Sequence, residues 1–177
     1  MRGHRARGGH LALARALALA LLAVGVSGCA YYTTSEGMVG GIRSVAVPLA
    51  ANETAEADLA EALTERVETT FARDGRLRVV DEASAEAVLR LTVLSVDDAP
   101  YTFTAGETTE QYRFRVSVRA KLERLDGEGA ALLELPRLEG WGTYSATAPD
   151  AEGRDPAVTT ALDMVIRELL DRASSSW

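Results

Sequence analysis

From Tyr112 to Glu123 the chain alternates without a break. Tyr112, Phe114, Val116, Val118, Ala120 and Leu122 are apolar or aromatic, while Arg113, Arg115, Ser117, Arg119, Lys121 and Glu123 between them are polar. A period of two held this long predicts a strand with one face buried and the other in water. Upstream, Val45 and Val47 alternate with Ser44 and Ala46 in a first strand over residues 42–49, which Pro48 ends by withholding a ladder donor. Leu59, Leu63, Val67 and Phe71 then recur every four residues. They predict a helix with one apolar stripe, N-capped by Asn52 or Thr54 and stopped at Asp74-Gly75.

Leu77 to Val80 predicts a short second strand, and residues 87–96, apolar on nearly both faces, a central one. Asp97 to Glu110 reads as a long polar loop or hairpin tip that carries Tyr101 and Phe103. Asp126-Gly127-Glu128-Gly129 is a hairpin turn, and a return strand follows over residues 130–144, interrupted at Pro136 and at Gly140-Trp141-Gly142. Trp141 is expected to be buried at the end of the sheet. Asp155-Pro156 caps a last helix with Pro at its first position, and Val158, Ala161, Leu162, Val165, Ile166 and Leu169 form its inner face. The order β-α-β-β-β-β-α predicts an α+β fold. Its economical form is a two-layer α/β sandwich, a mixed sheet of about four to five strands with two helices packed on one face. The other sheet face is left for water or a partner.

The first 30 residues change the picture. Arg2, Arg5 and Arg7 precede a run of Leu, Ala and Val that ends in Val26-Ser27-Gly28-Cys29. The apolar core is shorter than the roughly 20 residues a membrane-spanning helix needs, so it reads as a secretory signal peptide. Its end resembles the lipobox of bacterial lipoproteins, which implies that residues 1–28 are removed and that Cys29 carries the lipid. Each buried methylene of such a lipid contributes about 0.8 kcal/mol, and two or more chains anchor a protein stably. Cys29 is the only cysteine, so no disulfide within the chain competes for it. Ala30 in place of an acidic residue favours the outer membrane, by the same resemblance. Residues 29–41 form a short tether, and residues 42–177 a single domain.

The removed segment holds four of the 19 basic residues and none of the 26 acidic ones, so the remaining 149 residues carry a net charge of −11. Such a surface repels nucleic acid. His4 and His10, the two histidines, both lie in the removed segment. Cys/His metal sites, Ser-His-Asp triads and Cys-His dyads are thereby excluded, and no cofactor is implied beyond the covalent lipid. A carboxylate hydrolase finds no marked pair: Asp97 and Asp98 are adjacent, so on a strand they point to opposite faces.

Gly28-Cys29-Ala30-Tyr31, Ile42-Arg43-Ser44-Val45-Ala46-Val47-Pro48, Asn52-Glu53-Thr54 and Leu63-Thr64 follow one another in an order and spacing that resemble the LPS-assembly lipoprotein family LptE. Ala87-Val88-Leu89, the strand from Tyr112 and the closing helix with Trp177 continue the likeness. The resemblance implies a non-enzymatic lipoprotein that supports the LptD β-barrel and the insertion of lipopolysaccharide into the outer leaflet. Against it stands a regulatory lipoprotein that activates a peptidoglycan synthase (LpoB-like), a class that usually has a longer tether to reach across the periplasm. Under the LptE resemblance, Arg113, Arg115, Arg119 and Lys121 are candidates to contact lipopolysaccharide or an acidic barrel lumen, since guanidinium groups bind phosphate in a bidentate manner. Read from the residues alone, the same cations equally suit a solvated face that pairs with acids across the strands. Tyr101 and Phe103 are candidates for an interface loop.

Overall fold

The computed structural model describes residues 39–126, 131–147 and 151–175. Cys29, the signal segment, Gly127 to Gly129 of the hairpin turn and Trp177 lie outside them. Strand β1, Ser44–Ala46, is buried at all three residues and runs between two parallel neighbours. The chain then makes a two-residue strand β2, Ala51–Asn52, beside a later strand. Asn52 does not cap the helix that follows. Its side chain accepts from the Thr54 N–H at 3.0 Å and donates to the Glu56 carbonyl at 2.8 Å. These bonds hold residues 52–56 in a turn, so α1, Leu59–Asp74, starts later than the capping pattern predicts, with Asp58 at the N-cap position. Leu59, Leu63, Val67 and Phe71 are its buried stripe, as expected. Gly75, at φ 73°, takes the left-handed conformation that closes the helix, and its N–H donates to the Phe71 carbonyl.

Strand β3, Arg78–Val79, completes a β-α-β unit by pairing with β1 in parallel, as a connection through a helix requires. Three long antiparallel strands make up most of the sheet: β4, Ala87–Phe103; β5, Thr109–Arg124; and β6, Ala131–Ser145. The spatial order is β3-β1-β4-β5-β6, with β2 also on β4, six strands in a mixed sheet. Helix α2, Ala151–Ser175, closes the fold. Both helices share one core with a single face of the sheet.

Three expectations are corrected or narrowed. Of the loop and the hairpin that the sequence allowed over residues 97–110, the hairpin forms, with a shorter tip. Residues 97–103 and 109–110 continue the β4–β5 ladder, leaving only residues 104–108 as the turn. The register shifts between Val93 and Ser95, a bulge that reverses the alternation. Beyond it Val96, Asp98 and Pro100 share the helix side with Val116, Phe114 and Tyr112, their partners in register. Second, β6 is unbroken. Pro136 falls at a register shift, where a missing N–H is tolerated, and Gly140 and Gly142 stand beneath α2. Third, Pro156 lies inside α2 and not at its first position. The turn before it is held by Arg154, whose ion pairs reach two other elements.

Candidate functional site

The face of β4, β5 and β6 that the helices do not cover carries every cation singled out in the sequence. Register places Arg113 beside Ala99 and Thr143, Arg115 beside Asp97 and Trp141, Arg119 beside Thr92, and Lys121 beside Arg90 and Glu134. They share a face, but their surroundings divide them. Lys121 Nζ stands 2.7 Å from Glu123, which also pairs with Arg90 at 3.3 Å. The hydrogen bond and the charge of Glu123 raise the Lys121 pKa, and the hydrogen bond from Lys121 lowers that of Glu123. This end is a solvated face of paired charges. Among the described residues, Arg119 meets only Glu53, at 4.0 Å. Arg113 and Arg115 have no ion pair among the described residues.

Arg113 is held by aromatic rings instead. Its guanidinium carbon lies 3.5 Å from the centroid of Tyr101 and 5.0 Å from that of Trp141, which come from the strands on either side. Its Nε is buried and has no hydrogen-bond partner among the described residues. Trp141 is 43% exposed and Tyr101 45%, so the expected burial of Trp141 is overturned. The reason is steric. A Cβ on Gly142 would stand 2.7 Å from Ala157 Cα, and one on Gly140 would stand 2.8 Å from the Ala161 carbonyl carbon. Both glycines face a helix laid against their backbone, so the Trp between them must face the other way. Two glycines flanking an aromatic residue at a spacing of two were the signal in the sequence. Phe103, 57% exposed, stands at the end of the hairpin, opposite Thr109 in register.

On the helix side, a polar network lies where the core ends. Arg154 Nε donates to Asp98 at 2.7 Å, Arg154 Nη2 donates to Glu56 at 3.0 Å, and Tyr144 donates to the other Asp98 oxygen at 2.8 Å. Arg154 also lies over the Phe114 ring, and Tyr144 stacks on Tyr112 with centroids 5.5 Å apart. Burial, and then the hydrogen bond to Asp98, push the Tyr144 hydroxyl up to about 12. Asp97 and Asp98 do face opposite sides of the sheet. A cleft of about 420 Å³ opens between the helices over Phe114 and Leu162. Arg66 at its rim is committed to Asp163 and Thr159. No cluster of acidic, Cys or His side chains suited to a metal occurs among the described residues.

Residues 42–173 match the family LptE, described as lipopolysaccharide-assembly. No curated protein sequence matches the chain. Among solved structures, a hypothetical protein of Chlamydia trachomatis aligns with a TM-score of 0.55 at 12% identity, covering 75% of this chain and 96% of its own. A Xanthomonas campestris protein aligns with a TM-score of 0.55 at 14% identity, covering 75% and 85%. The rare lipoprotein B of Shewanella oneidensis aligns at 0.45 and 17%, covering 75% and 96%. At these identities the two likenesses with a TM-score of 0.55 establish the fold alone.

Proposed function

Because the chain belongs to the LptE family of lipopolysaccharide-assembly proteins, we propose that it is a non-enzymatic, lipid-anchored accessory protein of the outer membrane. In this reading it supports assembly of an LptD-type β-barrel and the passage of lipopolysaccharide into the outer leaflet. The observation that carries the proposal is the family match across residues 42–173. The geometry supports it with a sheet face left uncovered by the helices, on which Arg113 and Arg115 form no ion pair among the described residues. Residues 1–28 would be removed, Cys29 would carry the lipid, and residues 42–177 would act as one domain at the periplasmic face. No helix among the described residues is long and apolar enough to cross a membrane, which leaves the lipid as the proposed attachment. Nothing in the comparisons favours the peptidoglycan-synthase activator.

A mild-detergent pull-down of the full-length tagged protein from its own envelope, with mass spectrometry of what accompanies it, tests the proposal. A large barrel protein recovered in near-equal amount, together with lipopolysaccharide, is the expected result. Recovery of a glycan synthase in its place would overturn it. The anchor is tested separately: Cys29→Ala should lose palmitate labelling and leave the membrane fraction. Charge reversal at Arg115 and Arg119 should weaken recovery of the barrel or of lipopolysaccharide without unfolding the domain. Lys121, already paired with Glu123, should matter least.

A further inference from the structure

We infer that the Tyr101–Arg113–Trp141 cluster is a protein-docking hot spot that receives a carboxylate from an acidic surface of a partner protein. The inference rests on the proposal that this domain works against a protein partner, and it goes further by naming the residues and the chemistry of the contact. Three observations lead to it. The first is the state of Arg113. Aromatic rings from both flanking strands lie against its guanidinium, at 3.5 and 5.0 Å, and its buried Nε has no acceptor among the described residues. Stacking on a ring engages the face of a guanidinium and leaves its terminal in-plane N–H groups free to donate. An arginine held in this way is pre-oriented, so forming a bidentate pair orders little that was mobile before.

The second is the distribution of charge. The chain carries a net −7, and the other described cations that β4, β5 and β6 place on this face are met by acids: Arg90 and Lys121 by Glu123, Arg137 by Glu139, and Arg119, at a longer distance, by Glu53. Arg115, beside Arg113 on the same strand face, has Asp97 directly across in register yet forms no ion pair with it. On these three strands, cations without an ion pair among the described residues are thus confined to the outer half. The complement of that patch is acidic.

The third is shape and composition. Trp, Tyr and Arg are the residue types that dominate the energetic centres of protein interfaces. Here Trp141 and Tyr101 are each more than two-fifths exposed, and Phe103 is more exposed still. Their side chains stand on a pleated sheet surface, which suits another protein surface better than the concave site a small ligand needs. A carboxylate is planar and can lie in the plane of the guanidinium between the rings. A tetrahedral phosphate keeps two oxygens out of that plane when it binds in a bidentate manner, and so lies less flat beside the rings. The observations therefore favour a protein acid over a phosphorylated glycolipid at this spot.

The test uses the full-length, membrane-extracted protein. A photoreactive phenylalanine analogue is placed at position 101 or 141, with position 49 as an exposed control, and adducts are identified after irradiation in intact cells. The expected result is an adduct to a protein at 101 and 141, absent at 49 and mapping to a stretch rich in Asp or Glu. Trp141→Ala and Arg113→Lys, the latter keeping the charge but losing the planar fork, should each reduce recovery of that partner by about tenfold or more. Lys121→Met should leave it unchanged. The position-101 adduct, made with Trp141 and Arg113 intact, serves as the readout if either variant fails to fold. Equal recovery with all variants and no adduct at 101 or 141 would overturn the hot spot while leaving the barrel partnership standing. Adducts to lipopolysaccharide alone would overturn it in favour of a glycolipid contact. If the wild-type protein recovers no protein partner at all, the underlying proposal fails and the hot spot with it.

Discussion

Arg154 Nε donates to Asp98 Oδ2 at 2.7 Å and so ties the start of α2 to the outer half of β4. The same guanidinium reaches Glu56 in the turn before α1, so one side chain joins three elements that are remote in sequence. Tyr144 on β6 completes the network through the second oxygen of Asp98. On the opposite face of the same strands lie Tyr101, Arg113 and Trp141. The network therefore steadies the sheet region that presents the exposed cluster.

Replacing Arg154 with Met should cost about 1.5–3 kcal/mol of stability, the usual scale for hydrogen bonds to charged groups, because it leaves Asp98 and Glu56 partly buried without their cation. Urea unfolding measures this. Hydrogen exchange should rise most in the turn preceding Pro156, which the ion pairs hold helical and which Pro156, lacking an N–H, does little to support.

Gly142→Ala should destabilise by about 1–3 kcal/mol, the range for overpacking a close contact, and Gly140→Ala by at least as much. In each case the new Cβ meets helix backbone, which cannot rotate away. An alanine tolerated without loss in thermal unfolding would show that α2 does not lie against β6 in solution.

Tyr144 should make stability fall at alkaline pH. Its hydroxyl is pushed up to about 12 in the fold against an ordinary value near 10. Below pH 10 the phenol is protonated in both states and its contribution is whole. Between 10 and 12 the unfolded chain gives up the proton while the fold keeps it, so the contribution is lost as the pH rises. Ultraviolet titration of tyrosinate should lose its highest step in Tyr144→Phe, and the alkaline decline in stability should become shallower.

Glu107 in the β4–β5 turn has φ 62°, a left-handed conformation that costs a side-chain-bearing residue about 1–2 kcal/mol. Glu107→Gly removes that strain but frees the unfolded chain, so the net gain should be a few tenths to about 1 kcal/mol. Unchanged or lower stability in urea would mean that another interaction of the glutamate offsets the relief.

Period and punctuation alone determined a good part of this protein. The alternation from Tyr112 to Glu123 assigned the two faces of β5 correctly, and the four-residue repeat from Leu59 to Phe71 located α1 and its buried stripe. The α+β class followed, because two one-sided helices and a one-sided sheet have few other ways to exclude water. Local pattern failed where a distant element set the outcome. Residues 97–103 look like part of a polar loop or hairpin tip. They are a strand because the bulge after Val93 turns Asp98 toward Arg154, and because Pro100 lies beyond β2, where only β5 pairs with β4. Trp141 looked like a core residue, and the backbone of α2 against Gly140 and Gly142 turned it outward. The cation stripe looked uniform, yet contacts divided it into paired Lys121, loosely paired Arg119 and an outer pair without an ion pair among the described residues. Periodicity records which side of a strand a residue occupies. Which partner waits there depends on register and on helices packed from far along the chain, and only the assembled fold decides that.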